Sequence, residues 1–336
     1  MAINTLILGS YPPPFGGIST HLQYFLPYMA TQNYSVDLIS PGKSWATEKM
    51  EGFTVHRMDT SKVKSINAVA RRLPSAMLDF SRTRFVAFDF LKAQAICAVA
   101  EKAVARAELI CAYHLLPWGL AGAFLAKKYN IPLMLVNFGE IYADPEFYRK
   151  HQKEVEYVVG TANHLVSVSR HCANSFANLG LEREVEVIPL GVDTTHFSPE
   201  RNGSSIRSRY NINDNQQVVL FLGRMIRDMG LHTLLEAIPH YAEDAVTIIA
   251  GGSGELTGAA HAISKQYPDR VHVAENVPFD ELPEYYAAAD IIAAPSPDDR
   301  ACMGLAMKEA MATGKPVVGC TVGGVPEAVI HDETGI

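Results

Sequence analysis

The chain has 336 residues, which is enough for about two domains that each bury their own core. Apolar residues make up 48% and charged residues 19% of it, a composition that is typical of folded globular enzymes and excludes a disordered chain. The net charge of −7 at pH 7 excludes a chain-wide basic surface for nucleic acid.

Short apolar segments alternate with helix-like segments along the chain, which is the pattern of α/β domains built on parallel sheets. The strands predicted in the first half are Thr5–Leu8, Val36–Ile39, Leu109–Ala112, Leu133–Val136, Leu165–Val168 and Val185–Ile188. The strands predicted in the second half are Val218–Leu222, Val246–Ala250, Val271–Val273, Ile291–Ala293 and Val317–Gly319.

A polar segment without periodicity, residues 194–216, separates the two sets of strands and is predicted as a linker. The expected domains are therefore 1–193 and 217–336, two Rossmann-like, doubly wound domains facing across a cleft. In such sheets ligands bind outside the carboxyl ends of the strands, so we expect the site there.

The five cysteines are scattered, odd in number and without C-x-x-C spacing, so neither a disulfide framework nor a zinc site is predicted. No basic leader precedes the first strand, and no run approaches 18 apolar residues. A cytoplasmic protein is expected.

The first candidate site element is the glycine pair Gly16 and Gly17, which follows the first strand and opens a helix around His21–Met29. Glycine lets the backbone approach a ligand closely, and a helix N-terminus attracts anions. Ser19 or Thr20 is predicted to cap this helix. A plain turn with a capping residue is the alternative interpretation.

Arg224 is the second candidate, because it follows strand Val218–Leu222 directly after Gly223. A guanidinium at the carboxyl end of a strand is suited to bidentate phosphate binding. A surface ion pair is the alternative.

The third candidate is the segment 301–327, in which a loop with Gly304 runs into a short helix that carries Glu309 and is followed by a buried strand. A helix N-terminus, glycine turns and one carboxylate near a strand end can hold a phosphorylated ligand.

Two ionisable residues follow strands of the first half. His114 comes after Leu109–Ala112, and Glu140 comes after Leu133–Val136. Glu140 is predicted to bind an acceptor or transfer a proton, and a structural N-cap role is the alternative. For His114 a structural role is likewise the alternative to a role in the cleft.

Several motifs follow one another in one order across the chain: YPPPFGGISTH (11–21), VSVSR (166–170), VIPLGVD (187–193), FLGRMIRDMG (221–230), AADIIAAPSP (288–297), the segment 301–327 and HDETGI (331–336). Together they resemble the family-4-type retaining glycosyltransferases, which have the GT-B fold and belong to the glycosyl transferases of group 1.

The resemblance implies a metal-independent hexosyl- or glycosyltransferase that moves a sugar from a nucleotide-diphosphate sugar to a glycan or lipid-linked acceptor. It needs no cofactor beyond this donor. It implies that Arg224 and a nearby cation neutralise the diphosphate, that the backbone of Gly304 and Leu305 faces the phosphate or donor sugar, and that Glu309 binds the ribose. The resemblance also implies further structural elements after residue 336, so a truncated chain is expected. It further implies a role in an envelope or capsular polysaccharide pathway.

The chain departs from the family pattern at three positions. Met229 stands where relatives carry a lysine, and Arg227 is the candidate to supply that charge. Ala301 stands where relatives carry a first glutamate, for which Asp298 or Asp299 could substitute. Phe138 stands where relatives often carry a histidine.

The segment 57–92 contains eight lysine or arginine residues against three aspartates, with apolar residues between them. A solvated helical face is one interpretation, and a peripheral contact with a membrane surface or an anionic lipid acceptor is the other.

Three other functions stay open. The departures fit a degenerate homologue that binds a nucleotide or glycan without transfer. An NAD-dependent enzyme is another possibility, because Gly252 and Gly254 follow a strand and Glu275 lies further on, as in a dinucleotide-binding fingerprint. The third glycine of that fingerprint, Gly258, is misplaced. An epimerase or phosphorylase can use the same scaffold.

Overall fold

A computed structural model describes residues 2–13, 16–59 and 85–336 of the chain. The chain divides into two compact units, Met1–Pro189 and Leu190–Ile336, and each has its own sheet. The polar segment 194–216 lies in the second unit and contains a short helix, Ser204–Arg209, whose Ile206 is fully buried. Its role as a linker stays a prediction.

The strands of the first unit are β1 Ile3–Leu8, β2 Tyr34–Gly42, β3 Ala46–Lys49, β4 Phe53–Asp59, β5 Leu109–Tyr113, β6 Leu133–Asn137, β7 His164–Ser167 and β8 Glu186–Val187. In the described part of the chain they form one sheet in the order β3-β4-β2-β1-β5-β6-β7-β8. The β3–β4 pair is antiparallel, and the other pairs are parallel. The strand order reverses between β1 and β5, which is where sheets of this type open a crevice for ligands.

The helices described in the first unit are α1 Gly17–Thr31, α2 Ala87–Val104, α3 Leu120–Tyr129, α4 Glu140–Ala143, α5 Pro145–Lys150, α6 Gln152–Thr161 and α7 Arg170–Asn174. Helix α1 packs Leu22 and Leu26 into one apolar cluster with Ile7 and Leu38 of the sheet. Helices α2, α3 and α6 contribute to a second cluster. Helices on both faces are the reason that the central strands are apolar throughout.

The second unit contains β9 Val218–Leu222, β10 Val246–Gly251, β11 Val271–Glu275, β12 Ile291–Ala294 and β13 Val317–Gly319. They form a parallel sheet in the order β11-β10-β9-β12-β13, which reverses between β9 and β12. Its helices are α8 Ser204–Arg209, α9 Leu231–Ala237, α10 Thr257–Gln266, α11 Leu282–Ala288, α12 Leu305–Ala312 and α13 Val325–Ala328.

The α/β class, the parallel sheets and all eleven predicted strands are confirmed, with ends that move by at most three residues. Strands β3 and β4 were not predicted. The capping role of Ser19 or Thr20 is wrong, because α1 begins at Gly17 with Gly16 at the cap position. The Ser19 hydroxyl instead donates to the Gly16 carbonyl at 3.0 Å.

Most of the basic segment 57–92 lies outside the described residues, which stop at Asp59 and resume at Phe85. Arg57 does not belong to a solvated basic surface, because its side chain is 7% exposed within β4. Lys92 lies 4.0 Å from the ring centroid of Phe88, which is itself 58% exposed. Within the described ranges, no helix has the length and apolar character needed to span a membrane.

Candidate functional site

Arg224 lies at the carboxyl edge of the second sheet, two residues after the end of β9. Its side chain is exposed and makes no hydrogen bond or ion pair with the residues that the structure describes. The loops after β9 and β10 pack closely beneath it, since a Cβ on Gly251 would lie 2.1 Å from the Gly223 carbonyl oxygen. Gly251 also has a φ of +131°, which only glycine adopts readily. In the part of the chain that the structure describes, Arg224 is therefore an uncommitted cation at the switch point of this sheet.

Arg227 and Met229 lie in the next turn, the 3₁₀ helix Arg227–Met229. The Arg227 side chain is exposed, and its backbone N–H donates to Glu255 Oε1 at 3.0 Å. Met229 packs partly buried against the apolar core of the second unit. The structure thus places Arg227 three residues from Arg224 on the same loop, and position 229 contributes packing.

The loop before α12 contains an ion-pair cluster around Arg300. Its guanidinium lies 2.7 Å from Asp228 Oδ1 and 2.6 Å from Asp298 Oδ2. The hydrogen bond from Arg300 lowers the pKa of Asp298. Asp299 accepts a hydrogen bond from the Gly323 backbone N–H at 3.2 Å. Both aspartates that could replace a glutamate at position 301 thus have partners within this unit.

Helix α12 begins after Gly304, and no side chain caps its first turn, which starts at Leu305. Its backbone N–H groups are therefore of the kind that bind anions. Glu309 lies one turn later and is 3% exposed. Its Oε2 accepts a hydrogen bond from the fully buried Tyr286 hydroxyl at 2.7 Å. A carboxylate can accept several hydrogen bonds, so this contact does not decide whether Glu309 binds a ribose, and that role stays a prediction.

Glu275, the acid of the dinucleotide-like pattern, has partners of its own. It accepts a hydrogen bond from Ser253 Oγ at 2.5 Å and lies 2.8 Å from His261 Nε2. The Ser253 hydrogen bond and the His261 contact lower its pKa. A Cβ on Gly254 would lie 2.6 Å from the Met225 carbonyl oxygen, so this glycine serves the packing of two loops.

Gly16 and Gly17 lie at the carboxyl edge of the first sheet, where the loop after β1 leads into α1. Among the described residues, a Cβ on Gly17 would meet no atom within 4 Å, and one on Gly16 would meet only Ser19 Oγ, at 3.9 Å. The packing of the described residues does not require glycine at either position. The open space above them is suited to a ligand that approaches the backbone.

His114 and Glu140 are brought together by the neighbouring strands β5 and β6. His114 Nδ1 lies 3.9 Å from Glu140 Oε1, with the imidazole 35% exposed and the carboxylate 3% exposed. His114 has φ 87° and ψ 142°, which is a strained conformation for a non-glycine residue. Such strain is concentrated at functional sites, so His114 is a strong candidate for contact with a ligand.

The Glu140 carboxylate joins two loops at this edge. Oε1 accepts from the Leu115 backbone N–H and Oε2 from the Phe138 backbone N–H, both at 2.8 Å. Glu140 is also the first residue of α4. The N-cap role that the sequence left open is wrong, because Gly139 holds the cap position and no side chain caps this helix. The Glu140 carboxylate instead fixes the loop that carries His114.

Arg57 is a positioning residue that sequence reasoning missed. Its guanidinium donates to the Tyr11 and Pro12 carbonyl oxygens at 2.7 and 2.5 Å and also binds Glu48. It therefore holds the loop that leads to Gly16. The sequence signal was the alternation of apolar and polar residues in 53–59, which indicates a strand with an inward-facing arginine.

Among the residues that the structure describes, no group of three or more His, Cys, Asp or Glu side chains is placed to hold a metal ion.

Two family models match the chain: "Glycosyltransferase Family 4" over residues 15–196 and "Glycosyl transferases group 1" over residues 216–336. A D-inositol 3-phosphate glycosyltransferase of Xylanimonas cellulosilytica is 30% identical over 241 residues, which are 65% of this chain and 57% of the relative. A GDP-mannose-dependent α-(1-6)-phosphatidylinositol monomannoside mannosyltransferase of Mycolicibacterium smegmatis is 32% identical over 179 residues, which are 50% of this chain and 47% of the relative. The chain thus spans about half the length of these curated relatives.

Solved structures share the fold. The sucrose-phosphate synthase of Thermosynechococcus elongatus has a TM-score of 0.74 at 19% identity, over 99% of this chain and 85% of that one. The Anabaena protein HepE in complex with UDP has a TM-score of 0.73 at 19% identity, with the same coverage. The fold is therefore GT-B, with two Rossmann-like units. Since the family 4 model matches more than half of the 336 residues, the chain belongs to glycosyltransferase family 4.

Proposed function

We propose that the chain is a retaining, metal-independent glycosyltransferase that moves a sugar from a nucleotide-diphosphate sugar to a glycan or lipid-linked acceptor. The observation that carries this proposal is the uncommitted guanidinium of Arg224 at the switch point of the second sheet. An exposed arginine without a protein partner in that position fits a bound phosphate.

On the donor side, the diphosphate is expected over Arg224, with Arg227 as the second cation. The open first turn of α12, at Gly304 and Leu305, adds backbone donors and the positive end of a helix dipole. A family 4 relative is named as GDP-mannose-dependent, and a protein of the same fold was solved with UDP, which supports a nucleotide-diphosphate donor without fixing its base.

On the acceptor side, Gly16 and Gly17 leave room beside the β1 edge, and His114 presents its imidazole beside the β5 edge. Both carboxylate oxygens of Glu140 are engaged by backbone N–H groups, so Glu140 is the positioning residue of the pair. The name of one relative contains D-inositol 3-phosphate and that of another contains phosphatidylinositol monomannoside, which supports a cyclic polyol or lipid-linked acceptor.

In the proposed reaction, the bond between the sugar's anomeric carbon and the phosphate oxygen breaks, and the acceptor oxygen forms its bond on the same face. The acceptor proton passes to the leaving phosphate oxygen, so no protein nucleophile is needed. Negative charge builds on the leaving diphosphate, and Arg224 stabilises it where it develops. We expect the protein to work in the cytoplasm, at the inner face of the membrane when the acceptor is lipid-linked.

The proposal is tested by incubating the protein with UDP-, GDP- and ADP-sugars and candidate acceptors, with and without EDTA. The configuration of the product is read by the NMR coupling of its anomeric proton. One donor class should give product with retained configuration and unchanged rate in EDTA. A product with inverted configuration would contradict the proposal of a retaining enzyme. A rate abolished by EDTA would contradict the proposal of a metal-independent enzyme.

A degenerate binder is the second candidate, and the packing of Met229 into the core of the second unit favours it, because no cation stands at that position. The double substitution of Met229→Lys with Ala301→Glu distinguishes a degenerate binder from an active transferase. If it creates transfer that the native chain lacks, the native chain is a binder; if it abolishes native transfer, both positions belong to a specialised enzyme.

A further inference from the structure

The outer hairpin of the first sheet, formed by β3 and β4, borders a cavity that also contacts helix α2. The cavity has a volume of about 400 Å³, which is within the range of about 300–1,000 Å³ that small-molecule sites occupy. We call it the Trp45 pocket. The described residues that line it are Trp45, Ala46, Thr47, His56, Arg57 and Val99.

The buried carboxylate of Asp37, on β2, holds the imidazole of His56, on β4, in one orientation. Asp37 Oδ1 lies 2.8 Å from His56 Nε2, and Arg106 donates to the other oxygen, Oδ2, at 2.5 Å. Burial raises the pKa of Asp37, but the hydrogen bonds from His56 and Arg106 outweigh it, so the pKa is lowered and the carboxylate is charged at neutral pH. A charged carboxylate can only accept, so Nε2 of His56 is the donor.

The other ring nitrogen of His56, Nδ1, lies beside Thr47. The two residues stand opposite each other in the β3–β4 ladder, and Thr47 Oγ1 is 3.4 Å from Nδ1. The imidazole is 26% exposed and Thr47 is exposed, so a ligand in the pocket can reach both polar groups. A distance of 3.4 Å is long for a hydrogen bond, so both groups keep the capacity to bond a ligand hydroxyl.

Trp45 adds an aromatic face to these polar groups. It stands immediately before β3 and is 49% exposed. An indole face is suited to the C–H face of a saturated ring, while a ring hydroxyl is suited to His56 and Thr47. Arg57 is the one permanently charged residue among the described lining residues, and its guanidinium already binds the Tyr11 and Pro12 carbonyl groups. A phosphate therefore gains little in this pocket, which favours a neutral ligand with hydroxyl groups.

The pocket is separate from the edge at which the acceptor is expected to react. The strand order β3-β4-β2-β1 places β2 between the hairpin and β1. At about 4.8 Å per strand, β4 lies about 10 Å from β1. One sugar ring cannot occupy both places, whereas a chain of several sugar units can.

We propose that the Trp45 pocket is a second carbohydrate site, which holds a neutral sugar unit of a glycan acceptor away from its reacting end. The ring of this unit packs on Trp45, and its hydroxyl groups bond to His56 and Thr47. The inference rests on the proposed function in that the glycan is the acceptor of the transfer. It narrows the acceptor to an oligosaccharide of several units, and its binding can be measured without transfer.

The test measures the binding of neutral tetrasaccharides of α-linked glucose, β-linked glucose and α-linked mannose by titration calorimetry. At least one of them should bind the wild type. The same tetrasaccharide should change the fluorescence of Trp45, which is isolated in Trp118→Phe because the chain contains two tryptophans. No binding by any of the three, or binding without a change in Trp45 fluorescence, would overturn the proposal.

Two substitutions at exposed positions remove the proposed contacts without disturbing the core. Trp45→Ala removes the indole face and should weaken binding at least about tenfold. Thr47→Val removes a hydroxyl group but keeps the branched shape of the side chain, and it should weaken binding about threefold to tenfold. The matched controls are Tyr28→Ala, which removes another exposed aromatic ring from the first unit, and Thr54→Val on β4. Both controls should bind as the wild type does, and equal affinity in Trp45→Ala would overturn the proposal.

Transfer assays separate this site from the proposed function. In Trp45→Ala the KM of a tetrasaccharide acceptor should rise, while transfer to a monosaccharide acceptor should be unchanged. Tetrasaccharide binding that Trp45→Ala removes, in a chain that shows no transfer, would support the pocket and defeat the proposed function. Transfer to the tetrasaccharide with the same KM in Trp45→Ala as in the wild type would support the proposed function and defeat the pocket.

Discussion

The two hydrogen bonds of Glu140 make the sharpest prediction about the first unit. Its carboxylate is 3% exposed and accepts from the backbone N–H groups of Leu115 and Phe138. Replacing it by glutamine keeps the shape of the side chain but turns one acceptor oxygen into an NH₂ group. That group faces a backbone N–H, so one of the two bonds is lost and a buried donor is left without an acceptor.

The expected cost follows from the kind of bond that is lost. A hydrogen bond to a charged group contributes about 1.5–3 kcal/mol to stability, so Glu140→Gln should lower the free energy of unfolding by about 2 kcal/mol. Glu140→Ala leaves both N–H groups buried without a partner, at about 1–3 kcal/mol each, and should cost about 4 kcal/mol. Both changes release the loop that holds His114, so we expect transfer to fall with them.

The chain offers a specific probe of this change, because its two tryptophans, Trp45 and Trp118, both lie in the first unit. Trp118 belongs to the turn Leu115–Gly119, whose first N–H is one of the two donors. Urea unfolding followed by tryptophan fluorescence therefore reports on this unit. The matched control is Glu146→Gln, the same change at an exposed glutamate of α5.

A Glu140→Gln protein that unfolds within about 0.5 kcal/mol of both the wild type and the control would refute the reasoning. It would mean that the carboxylate does not hold the two loops together.

Three further predictions concern Gly17, His21 and Tyr286. Gly17→Ala should leave the free energy of unfolding unchanged or raise it by up to about 1 kcal/mol, because alanine favours a helix. The rate of sugar transfer should fall in this variant. An unchanged rate would show that no ligand approaches the backbone at Gly17. The unfolded chain should bind a proton at His21 below pH 6.5 and the folded chain only near pH 4. The free energy of unfolding should therefore fall by about 2 kcal/mol between about pH 7 and about pH 5, and less in His21→Phe in parallel urea titrations. Tyr286→Phe should cost about 2 kcal/mol in thermal unfolding followed by circular dichroism, because Glu309 loses a buried donor; an unchanged melting curve would show that the carboxylate has another way to be satisfied.

The sequence predicted the parts of the fold that rest on apolar periodicity. Every strand with a continuous apolar run was found, because a strand buried on both faces requires such a run. Strands β3 and β4 were missed, since β3 (Ala46–Lys49) is mostly exposed and β4 (Phe53–Asp59) buries polar side chains among specific partners. One of them, Arg57, was counted as part of a basic surface although it binds the Tyr11 and Pro12 carbonyl groups.

The sequence predicted where the candidate site residues lie along the chain, but it did not predict which residues they contact. Gly17, His114 and Arg224 were chosen because they follow predicted strands or lie in glycine turns. The carboxyl edge of a parallel sheet, where ligands bind, can be located from the pattern of strands. The bond between Glu140 and the Leu115 N–H joins residues 25 apart, and no local pattern reveals it. The same holds for the burial of Glu309 against Tyr286.

The central claim, a nucleotide-diphosphate site at the carboxyl edge of the second sheet, is tested most directly by titration calorimetry of UDP, GDP and ADP. The proteins to compare are the wild type, Arg224→Gln and the control Arg149→Gln, which removes an exposed arginine from the first unit. We predict that one nucleotide binds the wild type and the control equally and binds Arg224→Gln at least about tenfold more weakly, as the loss of a charge-assisted bond requires. No binding by any of the three nucleotides, or equal affinity in Arg224→Gln, would contradict the claim.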